Sequence, residues 1–243
     1  MRQLFLLFLF VSMICSRTAW SLETATDMLG QADLFADRYQ WGKALPLYQE
    51  AEKHLSEAGD AVGATFARLG RIRSSAGELL VQRMYEALDR ELGRLPERDN
   101  QRLRLRALFL KADVGSDIDA FSAGVFNADQ RRRDWQEIVS LSQKLGDKHL
   151  ESRAKGELGI LKVLDGDPIG SDEVSEVLWR ATETGDFANE LRFRTAIAVL
   201  YNSAGRVHDA RGHLDRAVEL AMREQAVYYF TANFEKALIL IES

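Results

Sequence analysis

The sequence predicts an all-α protein made of repeated helix pairs, and three observations support this prediction. Of the 243 residues only 3 are proline and 17 are glycine, while 46% are hydrophobic, a balance that favours helices around a substantial core over β-structure. A glycine-aspartate step recurs along the chain. Between these steps, apolar residues recur three or four positions apart, which places them on one face of a helix.

Residues 1–21 have the three-part layout of a cleavable signal peptide. Arg2 supplies a positive charge, an apolar run extends from Leu4 to Ile14, and Ala19-Trp20-Ser21 places small residues two apart. The run is about half of the ~20 residues that a membrane-spanning helix needs. We therefore expect cleavage after Ser21, with a retained membrane anchor as the alternative.

This leader contains the only cysteine of the chain, Cys15, and Ile14 before it lacks the small side chain that lipoprotein processing requires. The mature chain is therefore expected to form no disulfide, cysteine-based zinc site or iron–sulfur cluster. Because Arg2 and Arg17 are the leader's only charged residues, the formal charge changes from −5 to −7 after cleavage. The acidic balance argues against nucleic-acid binding, and no glycosylation motif occurs, so we expect a periplasmic or secreted bacterial protein.

The glycine-aspartate steps predict where one helix ends and the next begins. The clear steps and two weaker equivalents are Gly59-Asp60, Gly146-Asp147, Gly185-Asp186, Arg98-Asp99 and Glu224-Gln225. The glycine is expected to end a helix in the left-handed conformation, and the aspartate to accept hydrogen bonds from free N–H groups of the next helix. Each interval, about 39 residues long with one of 48, then holds two helices.

The unit that starts at Gly185 is the clearest helix pair, and Gly205 separates its two helices. The first helix carries on one face Leu191, Arg194, Ile197, Ala198 and Tyr201. The second helix carries on one face Val207, Ala210, Leu214, Ala217, Val218 and Ala221. The small alanine side chains are expected to let the two helices approach closely.

This pattern resembles the tetratricopeptide repeat (TPR), which places a small residue and an aromatic residue on the first helix, then a turn glycine, then small-x3-large-x2-Ala on the second. The matching residues are Ala198, Tyr201, Gly205, Ala210, Leu214 and Ala217. The second-helix pattern recurs as Ala44, Tyr48 and Ala51. The small residues of the first helices are Ala32, Gly70, Ala107, Gly159 and Ala198, and Ala237 begins a sixth.

The resemblance implies a right-handed α-solenoid of about five and a half TPR-like helix-turn-helix repeats over residues 22–243. The expected repeats are 22–58, 59–97, 98–145, 146–184 and 185–223, followed by a half repeat at 224–243. Residues 114–133 lie in the longest interval, where we expect an inserted loop or a distorted helix pair. A generic irregular α-helical bundle is the alternative fold.

The sequence contains no recognisable enzymatic motif. It lacks the glycine-rich phosphate loop, the His-Glu-x-x-His zinc helix, the Gly-x-Ser-x-Gly elbow and the calcium-loop spacing. Asp209 and His213 are four residues apart, as two metal ligands on one helix face would be, but no third ligand follows nearby. We therefore expect a protein that is not an enzyme and that has no cofactor and no metal site.

In TPR-like repeats a second face of each first helix lines the concave side of the superhelix, where partners bind. Counted from the small residue of each first helix, this face holds twenty residues, of which five are basic and one is acidic. The predicted partner-binding residues are Arg71, Arg104, Lys111, Arg153, Arg192, Val199 and Asn202. We expect this face to attract an acidic or carboxylate-bearing peptide. The alternative is that these basic side chains pair with acids of the next repeat, or that the assumed register is off by one.

Two functions follow from these expectations. The first is a scaffold or adaptor that binds a protein or peptide, and the second is a periplasmic sensor or regulatory segment of a larger signalling protein or enzyme. Phe234, Leu238 and Ile241 begin an apolar helix that no second helix follows. Such an uncapped end suggests self-association, a partner packed there, or a truncated chain. Contact with a membrane is expected only if the leader is retained.

Overall fold

The computed structural model describes residues 22–77, 79–96, 100–121 and 128–226. All regular structure in these ranges is helical, and they contain no strand. The predicted signal peptide, the Arg98-Asp99 step and the predicted half repeat beyond residue 226 lie outside the described residues. None of the described helices is both long enough and apolar enough to span a bilayer.

Ten α-helices follow one another along the described part of the chain. They are α1 (22–36), α2 (Trp41–Glu57), α3 (Ala61–Ser74), α4 (Val81–Arg94), α5 (Gln101–Phe121), α6 (Ala128–Leu145), α7 (Lys148–Leu164), α8 (Ile169–Thr184), α9 (Phe187–Ser203) and α10 (Val207–Arg223). A short 3₁₀ turn, Ser75–Gly77, follows α3.

The three clear glycine-aspartate steps end and begin helices as predicted. The glycines have left-handed φ angles of 78°, 72° and 69° at Gly59, Gly146 and Gly185. The aspartate side chains accept hydrogen bonds from backbone N–H groups three residues later, at 2.9 to 3.1 Å, at Asp60, Asp147 and Asp186. At the start of α5 the equivalent bond goes from the Leu103 N–H to Asn100, at 3.1 Å. These local predictions are confirmed. They could be made from sequence because each depends on only two adjacent residues.

Small residues on one helix lie against large residues on the next, also as predicted. Gly70 on α3 lies beneath the ring of Tyr48 on α2, so close that an added Cβ would be 2.3 Å from Tyr48 Cζ. Tyr48 is buried between Ala44 and Ala51, which are themselves fully buried. The small residues therefore set the close approach of these two helices.

The face predicted for the last helix pair is correct except at one end. Its buried members are Leu191, Ile197, Ala198, Ala210, Leu214, Ala217 and Ala221. Val207, by contrast, is 42% exposed, because it is the first residue of α10 and points away from the core. Phe193 is fully buried although the sequence pattern did not select it, and its ring fills the space beside Gly156 on α7.

Helix α5 continues through residues 114–121, which the sequence places in an inserted loop or a distorted helix pair. Val114 is fully buried in a cluster with Leu69 and Met84, and this packing extends the helix beyond the polar sequence. Helix α6 begins at Ala128. The loop alternative is therefore wrong for residues 114–121 and 128–133.

Consecutive helices pack against each other from α2 to α10, and α3 also contacts α5 while α7 contacts α9. The turn between α1 and α2 makes a much longer-range contact. Tyr39 and Trp41 share a buried cluster with Leu191, Ala217 and Ala221. The first and last described helix pairs therefore meet, and the helices between them line a cavity.

Candidate functional site

The space between these helices, which we call the central cavity, has a volume of about 580 Å³ and is lined by residues from α1, α2, α3, α5, α6, α7 and α9. This volume lies within the range of pockets that hold small ligands. Five aromatic side chains form much of its wall: Tyr39, Trp41, Tyr48, Phe66 and Phe109. Charged side chains of both signs occupy the rest.

Asp113 on α5 is the centre of a buried ion-pair network at one wall of the cavity. Its Oδ2 accepts from Arg73 Nε at 3.0 Å and from Arg73 Nη2 at 2.8 Å, and its Oδ1 accepts from Arg153 Nη2 at 2.6 Å. Arg153 also pairs with Glu157 at 3.2 Å, and Glu157 accepts two hydrogen bonds from Arg192. The network therefore links α3, α5, α7 and α9.

Both guanidinium groups of this network also contact aromatic rings. Arg73 lies 4.7 Å from the Trp41 ring centre, and Arg153 lies 5.7 Å from that of Phe193. Burial alone would raise the pKa of Asp113, but the charges of Arg73 and Arg153 outweigh it and hold that pKa below its usual value. The carboxylate is thus kept ionised, and the network fixes the cavity wall.

A second cluster lies on α5, closer to α1 and α2. Arg106 Nη2 donates to Asp33 Oδ1 at 2.6 Å and to the Tyr48 hydroxyl at 3.2 Å. Burial raises the pKa of Tyr48, so its hydroxyl stays protonated, and it donates to Asp33 at 2.6 Å. The Arg106 Nε atom is buried and has no hydrogen-bond partner among the described residues. One donor of this guanidinium therefore remains unused.

One cation and one carboxylate of the cavity lining, Arg102 and Asp37 at its mouth, form neither an ion pair nor a side-chain hydrogen bond with a described residue. Asp147 also lacks an ion pair, but its side chain caps α7. Arg102, one turn before Arg106 on α5, is exposed, and so is Asp37 in the turn after α1. The charges of His149 and Arg106 attract that of Asp37, while those of Asp33 and Asp186 repel it.

His149 lies at the same mouth, where α7 meets α9. Its Nδ1 is 2.8 Å from Asp186 Oδ2, and this hydrogen bond raises the pKa of the imidazole. Burial opposes ionisation of Asp186, but the bond and charge of His149 hold its pKa below the usual value. The pair joins two helix starts at the rim of the cavity.

Asn189 contributes an unsatisfied acceptor to the cavity wall. It is only 1% exposed, and its Nδ2 donates to Asp186 Oδ2 at 2.8 Å. That bond fixes the orientation of the amide, since only the nitrogen can donate to a carboxylate. The Asn189 Oδ1 atom has no hydrogen-bond partner among the described residues. A buried acceptor without a partner is costly, so this atom points to a missing donor.

A larger groove, of about 850 Å³, lies between α6, α7 and α8 and shares His149 with the mouth of the central cavity. The basic side chains that line it already pair with acids of the chain, as Lys155 does with Glu151 and Arg180 with Glu176. None of the groove's lining residues carries a buried unsatisfied polar atom in the described structure. The central cavity is therefore the better candidate, although it is smaller.

The five basic residues that the sequence assigns to partner binding all form ion pairs within the chain. These pairs are Arg71 with Glu52 at 2.6 Å, Arg104 with Glu137 at 2.8 Å, Lys111 with Asp89 at 2.9 Å, Arg153 with Asp113 at 2.6 Å, and Arg192 with Glu157 at 2.7 Å. An acidic ligand would have to compete with these carboxylates. The assignment of a partner to these side chains stays a prediction.

The structure does not bring the predicted residues together at one site. Arg153 is the one that lines the central cavity, while Val199 is exposed and Asn202 half-buried on α9. Asp209 forms an ion pair with Arg206, and the ring of His213 meets that of Tyr201 edge-on, with the ring centres 5.6 Å apart. Among the described residues no three His, Cys, Asp or Glu side chains are placed to hold a metal ion.

Arg73 and Asp113, which sequence analysis missed, carry a periodic signal. Arg73 contacts Asp113, and Asp113 contacts Arg153, across separations of 40 residues each. Asp33 lies one further period before Arg73, so acid and base alternate at one position of successive units. Comparing the charges at equivalent positions of successive units would have identified this alternation of acid and base. Counting the basic residues on one helix face did not identify it.

Chemically, the cavity can bind a ligand through aromatic contacts and through charged groups of both signs. No protein-family model matches the chain, and no curated protein sequence is similar to it.

Proposed function

We propose that this chain is a non-enzymatic binding scaffold or adaptor, exported to the periplasm or secreted, that holds a protein or peptide segment on the concave face of a TPR-like right-handed α-solenoid. The central cavity is the observation that carries this proposal. It combines a ligand-sized volume, an aromatic wall and a buried acceptor without a partner, Asn189 Oδ1.

The TPR-like arrangement is supported by contacts between equivalent positions of successive units. Asp113 contacts both Arg73 and Arg153, which lie 40 residues before and after it, a separation close to the repeat length. Such contacts are expected when successive units stack on one another. The close packing of Gly70 under Tyr48 is consistent with the small-large pairing of the repeat.

The closure of the array limits how a partner can enter. Because Tyr39 and Trp41 pack against α9 and α10, both ends of the described helical array border the central cavity. We therefore expect a short segment or a protruding side chain to enter, and not a long extended chain.

The test uses a pool of random synthetic octapeptides incubated with the purified protein, with captured peptides quantified by mass spectrometry. The Ala188→Phe variant places a large side chain in the cavity, because Ala188 lines it and is half-buried. The matched control is Ala61→Phe at the exposed start of α3. We expect capture by the wild type and the control, and at least about a tenfold loss for Ala188→Phe. Equal capture by all three proteins, or no capture by the wild type, would contradict the proposal.

The size of the cavity also favours a second candidate, a ligand-sensing segment of a larger signalling protein. A reading frame that continues past Ser243 into a catalytic domain would support this candidate over a stand-alone adaptor.

A further inference from the structure

We propose that the central cavity binds a small zwitterion with an aromatic body, of the size of an aromatic amino acid or a dipeptide. Its carboxylate would lie at Arg102 and Arg106, and its ammonium group at Asp37 and Asn189. This inference rests on the proposed function in one respect, since it takes the same cavity as the binding site.

The anionic end of the ligand is assigned to α5. Arg102 and Arg106 are four residues apart and therefore lie on the same face of this helix. Arg102 has no partner among the described residues, and Arg106 uses Nη2 for Asp33 and Tyr48 but leaves its buried Nε unused. A carboxylate can accept from two such donors at once, which makes the contact both strong and directional.

The cationic end is assigned to the part of the mouth where the turn after α1 meets α9. The Tyr39 hydroxyl lies 3.5 Å from the Ala188 carbonyl, which brings Asp37 and Asn189 to neighbouring parts of the wall. The Asn189 Oδ1 atom is a buried acceptor without a donor, and Asp37 is a carboxylate without an ion-pair partner. An ammonium group supplies three donors and a positive charge, so it satisfies both groups.

The other charges near Asp37 do not supply this partner. His149 is bonded to Asp186, and Arg106 is bonded to Asp33. Asp33 and Asp186 lie close enough to Asp37 to repel its charge, and a bound ammonium group would offset that repulsion.

The body of the ligand is assigned to the aromatic wall between the two charged ends. Tyr39, Trp41 and Phe109 line the cavity together with the rings of Tyr48 and Phe66. Edge and face contacts with a ligand ring are favourable in such a space. The deeper charges at Asp113 are already paired, and the Asp147 side chain caps α7, so Arg102 and Asp37 are the lining charges without a described partner. A purely acidic ligand would leave Asp37 and Asn189 unsatisfied.

The proposal is tested by calorimetric titration of the purified protein with Phe-Phe and three analogues. N-acetyl-Phe-Phe lacks the ammonium group, Phe-Phe-amide lacks the carboxylate, and Ala-Ala lacks the rings. We expect Phe-Phe to bind, and each analogue to bind at least about tenfold more weakly.

Two variants test which residues bind the charged ends of the ligand. Asp37→Asn should remove the preference for Phe-Phe over its N-acetyl form, and Arg102→Gln should remove the preference over its amide. Both residues are exposed, so the fold is expected to tolerate the changes. The matched controls are Asp27→Asn and Arg90→Gln, at exposed positions on α1 and α4, which should keep both preferences.

The outcomes separate this inference from the proposed function. If Phe-Phe does not bind, or if the N-acetyl and amide forms bind as tightly as Phe-Phe, the zwitterion proposal is wrong. Under either result, the proposed function would still be supported if the wild-type protein captures peptides and Ala188→Phe abolishes that capture. If the two preferences occur but Asp37→Asn and Arg102→Gln leave them unchanged, the assignment of the charged ends is wrong.

Discussion

Lys43, near the start of α2, donates a hydrogen bond from its Nζ atom to Oε1 of Gln225, just after the end of α10, at 3.1 Å. The two residues are 182 positions apart in the chain. The contact lies beside the buried cluster of Tyr39 and Trp41 with α9 and α10. Together with that cluster, it joins the first and last described helix pairs.

Replacing Asp113 is expected to destabilise the fold strongly. Asp113→Ala leaves the guanidinium groups of Arg73 and Arg153 in a buried site without the carboxylate that they share. Breaking a buried ion pair in this way costs about 3–5 kcal/mol. Urea unfolding followed by circular dichroism measures the change. The control Asp27→Ala, on the exposed face of α1, should change stability by no more than about 0.5 kcal/mol. A loss below about 1 kcal/mol for Asp113→Ala would show that the network contributes little to the fold.

Two glycine-to-alanine substitutions are expected to have opposite effects. At Gly70 the new methyl group would lie 2.3 Å from Tyr48 Cζ, and overpacking of this kind costs about 1–3 kcal/mol. At Gly212, an exposed position inside α10, no atom lies within 4 Å of the new methyl group. Gly212→Ala should therefore stabilise the protein by about 0.5–1 kcal/mol through helix propensity. Thermal unfolding of both variants gives the comparison, and a stabilised Gly70→Ala protein would contradict the packing between α2 and α3.

The His149–Asp186 pair is expected to make stability depend on pH. Because the pKa of His149 is raised, its contribution is complete below the ordinary histidine pKa of about 6.5 and is lost as the pH rises through the raised value. Because the pKa of Asp186 is lowered, its contribution is lost only as the pH falls through that lowered value. His149→Gln should therefore lower stability at pH 5.5 by less than about 1 kcal/mol, since the side chain is 44% exposed, and by still less at pH 9.

Urea unfolding at the two pH values tests this dependence. The control is His208→Gln, at an exposed position near the start of α10, and it should show no such difference between the two pH values. An equal loss at pH 5.5 and pH 9 for His149→Gln would mean that the ion pair does not act as described.

The local elements of this fold could be predicted from sequence because each depends on neighbouring residues. A glycine followed by aspartate defines both the end of one helix and the cap of the next, and the positions of Gly59, Gly146 and Gly185 are confirmed. The helix continuing through Val114 could not be predicted in this way, since its stability comes from burial against Leu69 and Met84.

The candidate site was harder to predict because its residues meet across the whole chain. Arg153 appears in the sequence as a cation available to a ligand, but Asp113 reaches it from α5 and neutralises it. Asn189 carries no motif, and its unsatisfied acceptor is apparent only once Asp186 occupies its nitrogen. A regular repeat predicts the stacking of units, but it does not predict that Trp41 packs against α10.

The closure of the described chain on itself is the central claim, because the central cavity and both binding proposals depend on it. Its most direct test is chemical crosslinking of Lys43→Cys with Gln225→Cys in a protein where Cys15 is replaced by Ser, using a short thiol-specific reagent. The pair Arg104→Cys and Glu137→Cys, between the adjacent helices α5 and α6, serves as the positive control. We predict that both pairs crosslink within one chain in the folded protein, and that the 43–225 crosslink is lost in urea. A folded protein in which the control pair crosslinks and the 43–225 pair does not would contradict the closed arrangement.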